Sequence, residues 1–373
     1  MYTTRLDPLL LATITLALLH FSFPLTYYLY LKTKWLNKPW NIKRDPSYKP
    51  RVTIIVPTYN EAKLIESKLD DLARQDYPRE LVEVVVVDSA SNDGTPEKVE
   101  KWARKNPGLK LVLVREPVRS GMVPALNYAL KHIPEDIEIV VFTDADSFWD
   151  RSTLKTIVEY FADPSVGALT ASIEPVEEVN REITYRTFYN EVRVGESKIH
   201  STPVHNGALV AYRKVLLDRI GGLPTYTGNN DSSPASLIAF MGYRAIQVND
   251  VVVKEPISRN RLERKIRRAQ HLILHFIQTK RYAKKLGMYK KGVFDKIWLI
   301  ESYLHLINPW FLTTSMFLLL YLTITGSALA LAFLTVGVSL LILKPFRAWI
   351  VTQLYLVVAA LRNTWTKELV WRK

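Results

Sequence analysis

The pattern of apolar and polar positions changes period twice along the chain. Residues 8–31, from Pro8 to Leu31, are almost free of charge and long enough to cross a bilayer as a helix. Tyr27, Tyr28 and Tyr30 follow, then Lys32, Lys34, Trp35 and Trp40. Aromatic residues backed by basic ones mark a membrane-to-cytosol exit. A cleaved secretory signal has a shorter apolar core and a small-residue cleavage site. The pattern therefore predicts a retained anchor over residues 1–34, with the chain from residue 33 onward on the cytosolic side of a cell membrane.

From about residue 50 the apolar runs become short. They cover Val52–Val56, Val82–Val87, Leu109–Val114 and Ile137–Thr143, with helix-like stretches at 61–74, 95–105 and 121–131. Alternating strand and helix predicts an α/β domain with a mostly parallel sheet, placed at 50–258. Such sheets bind ligands beyond the carboxyl ends of their strands, where this chain places its notable polar residues.

A third regime begins near residue 259. Leu262, Ile266, Ala269, Leu272, Ile273 and Phe276 recur at helical spacing, with Arg and Lys on the other face. Two placements suit such a helix: in the bilayer interface, or packed on the soluble domain with a solvated basic face. His271 and His275 have a spacing that metal ligands use, but no carboxylate stands ready to complete a site. An interfacial unit is expected over 259–300. Two apolar stretches, 304–325 and 327–343, then flank Gly326. Lys291, Lys296, Lys344 and Arg347 at their ends predict a hairpin that returns to the cytosol. The apolar run 348–361 is short for a span, so it reads as a re-entrant or interfacial helix within a membrane unit at 301–373. Arg362, Lys367, Arg372 and Lys373 close the chain.

Overall charge adds one constraint. The formal net charge of +14 suggests an anionic partner. The basic residues border the apolar segments, at 32–51 and 259–291. That placement favours membrane headgroups and disfavours nucleic acid. The chain has no cysteine, which excludes disulfides and zinc-thiolate sites.

The candidate chemistry lies at the strand ends. The first strand runs into Pro57, Thr58, Tyr59, Asn60 and Glu61, a polar turn that can hold a nucleotide through backbone groups and ring contacts. The second ends at Asp88, whose carboxylate can accept from a base N–H or a ribose hydroxyl. Asp93 and Thr95 beyond it are turn and N-cap residues. Arg119, two residues before Gly121 at a helix start, suits a diphosphate. Asp144 and Asp146 end the fourth strand. Two apart in an extended segment, they share a face and can hold a hard divalent cation, Mg2+ or Mn2+, against a diphosphate. Asp231, after Asn230, stands before another helix-like run. It can take a proton from a hydroxyl at a pocket rim, or simply cap that helix.

In this order and spacing, these motifs resemble the family 2 glycosyltransferases, inverting enzymes of the GT-A fold. The resemblance runs from about residue 50 to 270. It implies that Pro57, Tyr59, Glu61 and Asp88 bind the nucleoside of a nucleotide-diphosphate sugar, UDP- or GDP-linked. It implies Asp144 for the ribose and metal-diphosphate region, Asp146 for the metal, and Asp231 for the catalytic base. The base pair of the family is Glu-Asp or Asp-Asp, and Asn230 departs from it. His205, Asn206 and Gly207 match a segment that faces the acceptor. Cellulose and hyaluronan synthases, membrane members of the family, carry Gln-x-x-Arg-Trp near the membrane. Here the matching stretch is Lys265 to Ala269: Arg268 survives as a diphosphate ligand, while Lys and Ala replace the Gln and Trp. Loss of the Trp argues against processive polymer synthesis. The expectation is transfer to a lipid-linked or membrane-held glycan acceptor, with a processive synthase or a polyprenyl-phosphate sugar synthase as enzymatic rivals and a sugar-nucleotide or lipid-binding protein as the non-enzymatic one.

Overall fold

The computed structural model describes residues 7–176, 180–256 and 261–366. Lys367, Arg372 and Lys373 of the basic tail lie outside them.

Eight strands form one mixed sheet. β1 (Val52–Thr58), β2 (Val82–Asp88), β3 (Lys110–Arg115) and β4 (Ile139–Phe142) are its parallel half. β5 (Phe148–Trp149), β6 (Val166–Pro175), β7 (Val210–Arg213) and β8 (Arg244–Glu255) complete it in the order β3-β2-β1-β4-β7-β6-β8-β5. β7 runs antiparallel to both β4 and β6, and β8 runs parallel to β6. The parallel strands are continuously apolar because helices cover both faces. Val52, Ile54, Val56, Val84 and Val86 pack in one core with Ile65 and Leu69 of α2 (Ile65–Ala73), Trp102 of α3 (Thr95–Lys105) and Ile157 of α5 (Thr153–Tyr160). Ile55, Val85, Val87 and Phe142 point the other way, toward α4 (Met122–Leu130), α7 (Lys214–Arg219) and α8 (Ser232–Phe240).

Three expectations need correction. The fourth strand ends at Phe142, so Asp144 and Asp146 sit in a turn, not on a strand. The Ser147 N–H closes that turn on the Asp144 carbonyl. The helix expected from residue 61 begins at Ile65, because Glu61 to Leu64 form a turn whose carbonyl at Glu61 accepts from Ile65. The apolar hairpin expected at 304–343 also takes another form. An apolar helical stretch of 32 residues, Val293–Ile324, starts well before 304. It breaks at Ile307 into α10 (Val293–Leu306) and α11 (Asn308–Ile324). Pro309 in the first turn of α11 explains the break, since it lacks an N–H and crowds the preceding turn. The next helix, α12 (Ala328–Leu340), has only 13 residues, and α13 (Lys344–Arg362) bends away from it by 106°. At 1.5 Å per residue, α12 reaches only about 20 Å, short of a hydrocarbon core of about 30 Å.

α1 (Pro8–Leu31) continues through a π-turn to Leu36, giving a helical stretch of 29 residues with a mean hydropathy of 1.8 in its most apolar window. It packs along α11, where His20 Nδ1 lies 2.9 Å from the Asn308 carbonyl. Its C-terminal end meets α6 (Asn180–Ile199) through Tyr27, Leu31 and Val192. α9 (Arg261–Lys285) packs against the α/β domain, one of the two placements considered for it, and against α13. Phe276 and Ala283 enter the core of the α/β domain, while Ala269 and Ile273 pack on Leu356 and Ala359 of α13.

Candidate active site

The carboxyl ends of β1 and β2 are locked to each other by their own loops. The Asn60 N–H donates to Ser91 Oγ (2.8 Å), the Glu61 N–H to Thr95 Oγ1 (2.9 Å) and the Ala62 N–H to Asp93 Oδ2 (3.0 Å). Asp93 and Thr95 are therefore the structural residues their turn chemistry indicated. Asn60 and Ala90 adopt left-handed backbone, at φ 55° and 56°. For Ala90 that geometry costs about 1 kcal/mol. Strain of this sort is sustained where the surroundings over-determine the loop. Asp88 is buried, its two oxygens accepting from Thr58 Oγ1 (3.1 Å) and the Ser91 N–H (3.0 Å). It fixes the strand-end turn, while its neighbour Ser89 lines the cleft.

That cleft is walled by Pro57, Tyr59, Glu61, Arg119, Asp144 and Asp146. The Arg119 guanidinium lies over the Tyr59 ring, 3.6 Å from its centroid. Gly121, at φ 109°, caps α4 beneath it in a conformation open to few other residues.

Asp144 and Asp146 face this cleft from a turn held at both ends. Lys68 of α2 is fully buried, and its ammonium donates to Thr143 Oγ1 (3.0 Å) and the Ser147 carbonyl (2.6 Å). Thr143 Oγ1 and Ser147 Oγ both donate to the Ala208 carbonyl, at 2.8 and 3.0 Å. The acidic turn is thus tied to the His205–Ala208 segment. Burial pushes Lys68 down to about 7, against the upward pull of Asp71, Asp144 and Asp146. Burial, with Asp146 and Glu255 nearby, raises Asp144; burial and Glu255 raise Asp146.

Glu255, at the end of β8, is buried among three guanidiniums: Arg264 at 2.9 Å, Arg268 at 3.2 Å and Arg186 at 3.3 Å. Burial alone would raise its pKa; the arginines outweigh that and hold it below the usual range. Arg268 remains 58% exposed and lines a second, larger cavity of about 370 Å3 that also reaches Asp144 and Asp231.

Asp231 turns out to cap α8 and to face the cavity at once. Its Oδ1 accepts from the Ser232 N–H and hydroxyl. Its Oδ2 points toward Gly207. A Cβ placed on Gly207 would lie 3.6 Å from Asp231 Oδ2, 3.7 Å from Asn230 Nδ2 and 3.8 Å from Asp144 Oδ2. Side chains from two distant segments therefore converge on the backbone of a third at Gly207. Burial raises the Asp231 pKa; its Ser232 hydrogen bonds, Arg193 and Arg268 oppose the rise.

Comparison with known proteins places this geometry. Over 96% of its length the chain superposes on the whole of a mannosyltransferase, PcManGT from Pyrobaculum calidifontis, solved in complex with GDP-Man and Mn2+, at 48% identity and a TM-score of 0.87. The family model described as glycosyl transferase family 2 matches residues 53–221. The chain belongs to glycosyltransferase family 2. The poly(ribitol-phosphate) beta-N-acetylglucosaminyltransferase TarS of Staphylococcus aureus is 41% identical over 106 residues, 28% of this chain and 18% of TarS. The beta-monoglucosyldiacylglycerol synthase of Synechocystis is 30% identical over 190 residues, 49% of this chain and 39% of that one. The chain thus spans less than half the length of these two curated relatives.

The α/β domain of this glycosyltransferase is a GT-A fold built to use a nucleotide sugar. Its donor set also fits a divalent cation. Asp144 and Asp146 are crowded carboxylates whose ionisation burial opposes, a strain that a bound cation relieves. Among the described residues no cluster of three His, Cys, Asp or Glu side chains could hold a metal unaided. A hard cation held by one or two carboxylates completes its shell with substrate phosphates. His275 is no ligand: it is buried, with Ser233 Oγ 3.0 Å from Nδ1 and the Pro203 carbonyl 3.2 Å from Nε2. Sequence reasoning missed Lys68, Glu255 and Arg264. Lys68 reads as the polar face of an amphipathic helix, and only the sheet packing above α2 reveals that it is buried.

Proposed function

We propose that this glycosyltransferase moves a sugar, with inversion, from a GDP-linked donor of the mannose type to a lipid-linked acceptor at a cell membrane. Asp144 and Asp146 would hold Mn2+ or Mg2+, which would supply the positive charge that offsets the leaving diphosphate. Pro57, Tyr59 and Glu61 contact the nucleoside, Asp88 holds the turn behind them in place of the direct contact expected of it, and Arg119 and Arg268 contact the diphosphate. Asp231 Oδ2 takes the acceptor proton as the acceptor oxygen attacks the anomeric carbon from the side opposite the diphosphate. Asn230 and Gly207 shape the space between the two.

One observation carries the membrane acceptor. The cavity that reaches Asp144 and Asp231 continues to Pro24 and Tyr27 of α1, Leu304 of α10, and Trp349 and Leu356 of α13. Its far wall is made of helices long and apolar enough to cross a membrane, joined by α13. An acceptor with an apolar tail lies along that wall with its headgroup at Asp231. On this reading α1 and Val293–Ile324 span the bilayer, and the α/β domain lies on the cytosolic side.

The test is Asp231→Asn, measured with GDP-Man and a membrane-lipid extract. Transfer should fall by at least about a thousandfold, while GDP-Man binding in the presence of Mn2+ stays within a factor of two or so of wild type. Full transfer by the variant rejects Asp231 as the base, and activity unchanged by EDTA rejects the metal role of Asp144 and Asp146.

A further inference from the structure

Two helices that wall the larger cavity turn positive charge into it. On α6, Arg186, Tyr189, Arg193 and Glu196 recur three or four apart and share the face that lines the cavity. Lys265, Arg267 and Arg268 line it from α9. Two of the α6 groups are already engaged. Arg186 pairs with Glu255 at 3.3 Å. Both Glu196 oxygens accept hydroxyls, from Tyr27 at 2.8 Å and from Thr202 at 2.7 Å. Arg193 differs. Its guanidinium carbon lies 5.9 Å from the centroid of the Tyr189 ring, and among the described residues its side chain makes no ion pair and no hydrogen bond. It stands where the apolar wall meets the base. The preceding residue, Val192, packs on Tyr27 and Leu31 of α1. The charge of Arg193 reaches Asp231 and His205, while Arg264 and Arg268 act on Asp144 and Asp146 at the donor side.

We propose that Arg193 binds a phosphate group of the acceptor, so that the acceptor is an anionic lipid whose sugar is joined to its apolar chain through phosphate. The inference rests on the transferase reading above and names its acceptor class. An acceptor that fills the cavity displaces the water around Arg193. A neutral headgroup would leave that cation desolvated and without a counter-charge, which is costly. A phosphate supplies the charge and accepts from the fork of guanidinium N–H groups. Lys265 and Arg267 add to the positive field in the same cavity. The phosphate belongs to a lipid, because the cavity runs on to Tyr27, Leu304 and Leu356, an apolar wall that inorganic phosphate cannot use. It is the link and not the nucleophile. An ionised phosphate oxygen carries no proton for Asp231 to take, so the attacking hydroxyl belongs to the sugar beyond it.

The experiment uses the full chain in a neutral detergent and reads binding by calorimetry. The probes are geranylgeranyl phosphate, geranylgeraniol and inorganic phosphate. Wild type should bind the lipid phosphate at least about tenfold more tightly than either of the others. Arg193→Gln should lose roughly tenfold or more in affinity for the lipid phosphate, with the Kd for geranylgeraniol and the Kd for GDP-Man with Mn2+ unchanged. Arg193→Lys, which keeps the charge without the fork, should recover part of the loss. Equal binding of the lipid phosphate and the alcohol overturns the inference, as does an Arg193→Gln variant that loses both alike. Inorganic phosphate bound as tightly as the lipid phosphate overturns it too, by making this a site for free anions. A second arm supplies GDP-Man and Mn2+. Mannosylation of geranylgeranyl phosphate itself would make the phosphate the nucleophile and overturn its linking role. If the chain neither binds nor consumes GDP-Man in any of these mixtures, the transferase reading fails, and the lipid-phosphate binding is read separately from it.

Discussion

Lys68 carries a charge where the sequence gives no hint of one being buried. Removing its side chain leaves the Ser147 carbonyl and Asp71 without their ammonium. Lys68→Ala should therefore cost about 3 kcal/mol of stability and weaken Mn2+ binding in the presence of GDP, because the acidic turn loses an anchor at each end. A binding isotherm matching wild type would remove Lys68 from the account of the site. Its titration adds a signed prediction. The folded pKa is near 7 and the ordinary value 10.5. Between them the unfolded chain binds more protons, so this group makes stability rise with pH across that window. Lys68→Met should flatten the rise in Tm between pH 7 and pH 10; an identical slope contradicts it. Asp231 was legible as either base or cap, since a local pattern cannot separate the two. The fold gives one oxygen to the cap and turns the other toward the cavity, and burial moves its pKa above the ordinary carboxylate value. The acid limb of the transfer rate should accordingly fall above about pH 4.

Elements were legible where their pattern was local. The four parallel strands alternate with helices at the expected intervals, because β1, β2 and β4 bury both faces and so read as short apolar runs, while β3 at the sheet edge is half-buried and still mostly apolar. β6 and β8 escaped notice, since their ends are polar and their register is broken by two irregularities, between Val166 and Ala168 and between Thr170 and Ser172. Such long-range pairing leaves no periodic mark in the chain. Gly167 lies at the first of those breaks. A Cβ there would sit 2.5 Å from Ile238 Cγ2 and 2.7 Å from Leu216 Cδ1. Gly167→Ala must push α7 and α8 off the sheet, at about 1–3 kcal/mol, and α8 carries Asp231 at its cap. Melting temperature and kcat should fall together; a fall in only one would separate the packing from the site. Gly195 plays the matching role on α6, where a Cβ would lie 3.0 Å from Leu31 Cβ. It allows the end of α1 to close against the cavity wall.

At the scale of the whole molecule, two regions of opposite character share one cavity. The α/β domain buries its apolar residues, while the helical region leaves them out. Leu18 of α1, Phe317 and Ile324 of α11 are 63%, 68% and 76% exposed, on helices held together by Leu10, Leu322 and Ala330. On the proposed reading these exposed apolar side chains face lipid. Charge alone would give a weaker attachment. The basic residues at 32–51 and 259–291 act across a Debye length that falls to about 3 Å in molar salt. The two modes separate in a membrane preparation. A protein held only by its basic face leaves the membrane in high salt; one whose helices span it stays through both high salt and an alkaline wash, and leaves only in detergent. The second outcome is expected. It bears on catalysis as well as location, because Tyr27 and Leu304 line the same cavity as Asp231. Extraction into a detergent that strips lipid from α1 should slow transfer to a lipid-tailed acceptor more than it slows hydrolysis of GDP-Man, since water needs no apolar wall. Equal losses in the two reactions would mean that the membrane helices anchor the enzyme without contributing to its acceptor site.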